Sequence, residues 1–262
     1  MRRTLIVLRR EWRELRENRF LLVSTAALPL FLCAAAVGVA LTTAHASVEA
    51  SDVAPIVAQA PAHLTPKQVL LFVLMKQLLG IFLAVPAIIP ALVSAYSVVG
   101  EKQLRTLEPV LATPIRVGEL LAGKCLASFL PALVATWTTF GVTCALLRTY
   151  LPPDAQAVAP PNAEWLIAVI LVAPLLAFGS NTLTVLVSAR VRDPRAAHQF
   201  ASLLVLPIFG VVLVELARGI LLGWRFWLGV AAALVWIDYL LLKLAARWFN
   251  REGILARFGG AA

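Results

Sequence analysis

The sequence predicts an all-α fold: a polytopic membrane protein of six transmembrane helices, preceded by an N-terminal amphipathic helix in the membrane interface. Three observations predict it. Of 262 residues, 61% are hydrophobic and 14% charged, against about 45–50% and about 25% in soluble domains. The apolar residues come in blocks long enough to cross a bilayer, for which about 20 residues span about 30 Å of hydrocarbon. Lys and Arg gather in alternate connecting segments, as they do in loops kept on the cytoplasmic side.

Residues 3–17 read as a helix with Leu5, Leu8, Trp12 and Leu15 on one face. Arg10–Glu14 and Arg13–Glu17 are opposite-charge pairs one turn apart. Such a helix lies along the interface, with Trp12 at headgroup level. Six apolar segments follow, at 20–44, 78–99, 121–147, 165–188, 199–217 and 226–248. The fifth is the weakest, because Glu215 and Arg218 mark its far end.

Eighteen basic residues fall in 1–19, 101–124, 189–198 and 243–262. The opposite loops hold only Lys67, Arg148, Arg218 and Arg225, with Lys76 near the outer end of span two expected to snorkel outward. This bias places both termini in the cytoplasm and supports an even number of spans. The N-terminal block does not read as a cleaved signal. Its apolar run at 20–44 exceeds the about 7–15 residues of a signal core and follows a head containing Glu11, Glu14 and Glu17. The outer loops 45–68 and 148–164 are short, rich in Ala and Pro and weakly charged, which leaves no ligand-binding ectodomain. The expected organisation is one transmembrane domain over 1–262: interfacial helix 1–19, spans within 20–248 and a cytoplasmic tail at 249–262.

The net charge of +9 points to a membrane surface, since no stretch is long enough for a basic nucleic-acid-binding module. Cys33, Cys125 and Cys144 sit in or beside apolar runs, without a CxxC or Cys/His cluster. They read as small buried hydrophobes, with no disulfide framework and no metal site.

Enzymatic readings fail on missing partners. There is no HExxH helix and no GxSxG elbow. Ser180 and Asn181 in span four have no histidine at membrane depth to activate a nucleophile, so hydrogen bonding between helices is the expected role. Gly118 to Cys125 nearly spells a phosphate-binding loop, but Cys stands where the metal-binding hydroxyl belongs and no strand precedes it. Gly123 and Lys124 read instead as a glycine and a snorkelling lysine at the mouth of span three. No catalytic residue is expected.

Ionisable residues and prolines inside spans are candidate pathway or gate elements. Glu215 and Arg218 can pair on one helix face, as a gate or as a structural pair. Asp238 in span six serves transport or bonds to a neighbouring helix. Pro86 and Pro90 can kink span two, as moving hinges or as static bends.

The informative stretch joins spans two and three, from Gly100 to Lys124. Its charges are dense and of both signs, and Leu104, Leu107, Leu111 and Ile115 recur at helical steps broken by Pro109 and Pro114. A mixed-charge amphipathic surface suits a protein contact. Here the chain resembles the ABC-2 type transporter permeases, the membrane subunits of ATP-binding cassette exporters. The matching motifs are Glu-Lys-x-x-x-Thr-Leu-Glu, Leu-x-Thr-Pro-Ile and Glu-Leu-x-x-Gly-Lys, with Arg105 standing where the family usually has Gly.

The resemblance implies that this cytoplasmic coupling segment contacts a separate ATPase subunit through Glu101, Lys102, Thr106, Glu108, Thr113, Pro114, Arg116, Glu119 and Lys124. The interfacial helix around Trp12 and Arg13 would border the same subunit. ATP and Mg would be bound by that partner and no cofactor by this chain. A second copy or a paralogue would complete the path, lined by residues 78–99 and 199–217, in a bacterial inner membrane. The rival expectation is a secondary transporter or channel using Glu215 and Asp238.

Overall fold

The computed structural model describes residues 2–49, 63–103, 117–188 and 222–248, with scattered positions between 199 and 214. Helix α1 (Arg2–Glu17) and helix α2 (Arg19–His45) meet at Asn18. The Asn18 side chain accepts from the Leu21 N–H at 3.2 Å, capping α2 and turning the chain into the first apolar helix. Helix α3 (Pro66–Phe82) starts twelve residues before the apolar segment that announces span two. Its start is well specified. Thr65 and Gln68 form a reciprocal capping box, and Pro66 supplies the fixed φ of a first turn. The outer loop is correspondingly shorter than hydropathy implies.

Helix α4 (Ala84–Gln103) continues α3 after a break at Leu83. Pro86 accounts for the break: it has no N–H to give the Phe82 carbonyl, and its ring crowds that carbonyl. Pro90 lies within α4 and causes no second interruption. Of the two prolines, only Pro86 stands next to an interruption of the helix.

Helix α5 (Val117–Tyr150) runs unbroken through Pro131. The short α6 (Pro153–Gln156) follows, then α7 (Ala163–Ile167), capped by Asn162 accepting from the Trp165 N–H at 3.1 Å. A π-helical turn, Ala168–Val172, joins α7 to α8 (Ala173–Ser188). Such a turn displaces the backbone bonding pattern by one residue, and the Val169 carbonyl here accepts from Trp137 Nε1 at 3.1 Å. Helix α9 (Trp224–Trp248) closes the described part.

Among the described residues, five stretches are long and apolar enough to cross a membrane: Arg19–His45, Pro66–Ser97, Ala122–Tyr150, Ala163–Ser188 and Trp224–Ala245. The expected span at 199–217 falls almost wholly outside the described residues. The stretch Pro66–Ser97 is the hub, with 78% of its most apolar window buried, against 17% for Trp224–Ala245. An aromatic cluster holds its middle: Phe82 meets Trp165 edge-on at 5.4 Å, and Trp165 stacks on Phe140 at 5.8 Å. Trp227, Ala231 and Leu234 of α9 pack on the same cluster. At the end remote from α1, Leu151, Ala155, Val158 and Ala159 pack on Leu71, Met75 and Leu147, folding the 148–164 connection onto the bundle. Phe31, Val134, Val142, Val235 and Trp236 stay exposed, as expected where lipid replaces a protein neighbour.

Helix α1 docks differently from its apolar pattern. Val7 and Glu11 are buried, while Leu5 is 54% and Ile6 63% exposed. The helix turns the Val7–Glu11 line toward α5, where Gly123 leaves room. A Cβ on Gly123 would stand 2.8 Å from Val7 Cβ and Cγ1, and 3.2 Å from the Thr4 carbonyl oxygen. Gly123→Ala should therefore destabilise the chain by about 1–3 kcal/mol through overpacking. Thermal unfolding in detergent checks this, and an unchanged Tm contradicts the close approach of α1 to α5.

Candidate functional site

Glu11 occupies an awkward place for a carboxylate. Val7 and Leu15 stand one turn to either side of it, so it shares the docking face of α1. It is 7% exposed and meets Lys124 of α5, itself 4% exposed, at 2.7 Å. Ser97 of α4 closes the group. Its hydroxyl donates to Glu11 Oε2 at 2.6 Å and accepts from Lys124 Nζ at 2.8 Å. Both carboxylate oxygens are thus bonded. Burying two ions costs several kcal/mol each, and only close geometry with supplementary hydrogen bonds offsets that cost. Three helices supply the three groups, so the arrangement fixes the helices relative to one another. Lys124 is a buried, paired cation, where a snorkelling lysine was expected.

One turn deeper lies a neutral network. Ser94 precedes Ser97 by three residues on α4, and Ser128 follows Lys124 by four on α5. Their hydroxyls are 2.8 Å apart. Asn181 of α8 accepts from Ser128 at 2.9 Å and from Ser94, and its Nδ2 donates to the Cys125 carbonyl at 2.8 Å. Alongside, Trp12 Nε1 donates to the Ala127 carbonyl at 3.2 Å. The expected interhelical role holds for Asn181. Ser180 bonds instead within its own helix, to the Ala177 carbonyl at 3.3 Å.

A second buried ion pair sits at the opposite end. Lys76 of α3 meets Glu164 of α7 at 2.9 Å, donates to the Leu222 carbonyl at 3.0 Å, and lies over the Phe72 ring at 4.8 Å. Lys76 therefore does not snorkel outward. A carboxylate on another helix draws it into the bundle, and hydropathy along one strand of sequence cannot reveal such a partner.

Asp238 is 5% exposed and continues the buried α9 stripe of Trp227, Ala231 and Leu234. Neither of its carboxylate oxygens has a hydrogen-bond partner among the described residues. The expected bond to a neighbouring helix is absent among them.

The remaining sequence candidates distribute as follows. Glu101 and Lys102 lie in the last turn of α4, and Glu119 in the first turn of α5. Arg13 is exposed on α1, and Pro86 and Pro90 are buried in α4. Thr106, Glu108, Thr113, Pro114, Arg116, Glu215 and Arg218 lie outside the described residues. The stretch resembling a phosphate-binding loop is helical throughout, from Gly118 to Cys125, so it forms no cradle of backbone N–H groups. Sequence reasoning missed Glu11, Ser94, Ser97, Ser128 and Glu164. The one available signal was Glu11 itself, whose neighbours one turn away are apolar while Glu14 has Arg10, paired at 2.8 Å.

Two substitutions separate paired from unpaired burial. Glu11→Gln should destabilise the chain by about 3–5 kcal/mol, because it removes the buried carboxylate that Lys124 and Ser97 both bond. Asp238→Asn should not lower the Tm, because it removes no described hydrogen bond and relieves the burial of a carboxylate. Thermal unfolding of the purified variants checks both. A silent Glu11→Gln or a strongly destabilised Asp238→Asn reverses the assignment.

No curated protein matches the chain. A family model described as "ABC-2 family transporter protein" matches residues 5–241, from α1 through the two buried ion pairs and into α9. The chain therefore belongs to the ABC-2 transporter family and is a multi-pass membrane component of a transporter, without an ATPase site of its own.

Proposed function

We propose that this chain is the permease subunit of an ATP-driven exporter and takes its power stroke from a separate ATPase subunit. The observation that carries the proposal, given the family, is the Glu11–Lys124–Ser97 group at the roots of the segment 101–124. That segment leaves the membrane from α4 and re-enters through α5. The polar group ties both helices to α1, and Asn181 ties them to α8. A push on the segment then moves four helices together, a rigid-body displacement of the kind that converts local binding into altered access.

In this reading both termini and the 101–124 segment face the cytoplasm. ATP and Mg bind the partner. Two permease copies, or one copy and a paralogue, enclose a path lined by residues 78–99 and 199–217, with Glu215 and Arg218 toward its outer end. Glu101, Lys102, Thr106, Glu108, Thr113, Pro114, Arg116 and Glu119 meet the ATPase, while Lys124 works from behind by holding α1. The burial of Asp238 without a described partner favours a second reading, secondary transport coupled through Asp238 and Glu215. That mechanism has no use for an ATPase.

Co-purification from native membranes decides between them. The tagged chain should recover a soluble ATPase subunit, and joint reversal of Glu101 and Glu108 to Lys should reduce that recovery at least tenfold. A chain that purifies alone and transports without ATP overturns the proposal.

A further inference from the structure

Helix α1 has two unlike flanks beside its docked face. At about 100° per residue, Trp12, Leu5, Arg16 and Arg9 follow one another around one side of Glu11, and Arg10, Glu14 and Glu17 occupy the other. The second flank is of mixed charge and carries the exposed Arg10–Glu14 pair at 2.8 Å. The first holds no acidic residue. Arg9 and Arg16 are exposed, and Leu5 is 54% exposed between Trp12 and the two arginines. An exposed leucine alone is ordinary at a protein surface, and here it stands beside two cations with no acidic neighbour on the flank. That combination suits a bilayer surface, where apolar side chains enter the acyl boundary and arginines meet phosphate.

The position of this flank supports the same occupant. Trp12 is anchored to the Ala127 carbonyl of α5. Leu126, the residue before, is 40% exposed within the membrane-spanning stretch Ala122–Tyr150. The flank thus borders an exposed, apolar part of a stretch long enough to cross a membrane. The geometry points to an anionic phospholipid site on α1, formed by Arg9 and Arg16 with Leu5 and Trp12. The site holds the first helix against α5 from outside, as Glu11 and Lys124 hold it from inside. The inference goes beyond the exporter reading and does not depend on an ATPase.

The test uses the full chain in mixed micelles of phosphatidylcholine, with or without phosphatidylglycerol. Phosphatidylglycerol should raise the Tm by several degrees over phosphatidylcholine alone, and high salt should erase most of that gain by screening. Inorganic phosphate at the same concentration should give no gain, which separates a lipid site from a free-anion site. The double variant Arg9→Gln, Arg16→Gln should keep the wild-type Tm in phosphatidylcholine and lose the gain. The control pair Arg10→Gln, Glu14→Gln should retain it. Three outcomes overturn the inference: equal stabilisation by both lipids, a full gain in the Arg9/Arg16 variant, or loss of a co-purifying soluble subunit with the lipid response intact. The last would make the flank a protein-docking surface.

Discussion

A charged side chain at the edge of a membrane must reach water or find an opposite charge, and Glu11 and Lys124 take the second course. Much of the surrounding architecture follows from that pairing. For a carboxylate on α1 to stand 2.7 Å from an ammonium inside α5, the two helices must nearly touch. Gly123, one residue from Lys124, permits the contact, and Val7 fills the space it leaves. Ser97 must then present its hydroxyl from α4 to the remaining carboxylate oxygen, which sets the rotation of the hub helix. That rotation brings Ser94 to Ser128, and both to Asn181. The pair is thus worth more as a constraint on geometry than as a source of net stability, since desolvation consumes most of the Coulombic gain.

The hub span is divided by the same logic. Its α3 half is fastened at the far end, where Lys76 holds Glu164 and the Leu222 carbonyl. Its α4 half is fastened at the α1 end, to α5 and α8. Between the two fastenings lies the break at Leu83, imposed by Pro86, next to the aromatic cluster of Phe82, Trp165 and Phe140. Two rigid polar ties separated by a weakened helical joint make a span that can bend without either end coming apart. The π-helical turn in the facing span adds a second irregularity at Ala168–Val172, in the same aromatic layer. In an exporter this is where motion arriving from one face would be passed on.

Much of this was legible in the sequence, and the limits of legibility are physical. Span positions follow from bilayer thickness, so α2, α5, the α7–α8 stretch and α9 fall close to the apolar runs. The start of α3 was misjudged because Lys67, Gln68, Lys76 and Gln77 lower local hydropathy, although a capping box and a remote carboxylate accommodate them. The face by which α1 docks on α5 was not legible for a related reason. Periodicity marks the face with Leu5 and gives no role to Glu11, yet a counter-ion 113 residues away makes the carboxylate the inward residue. Hydrophobic pattern measures affinity for lipid or core in general. Buried ion pairs and hydroxyl networks depend on which groups meet, and that is a property of the fold. Asn181 was the exception, since an amide at membrane depth has few options besides another helix. Of the resemblance to ABC-2 permeases, the family itself is established, whereas the residues at the centre of the 101–124 segment lie outside the described structure.

Glu11 and Lys124 act as one unit in holding α1 to the base of α5. A double-mutant cycle tests it most directly: Glu11→Gln, Lys124→Met and both together, each followed by equilibrium unfolding of the purified chain. The double variant should be more stable than the sum of the single losses implies, with a coupling energy of about 1–3 kcal/mol. Additivity within about 0.5 kcal/mol would contradict it, and would leave α1 held by packing alone.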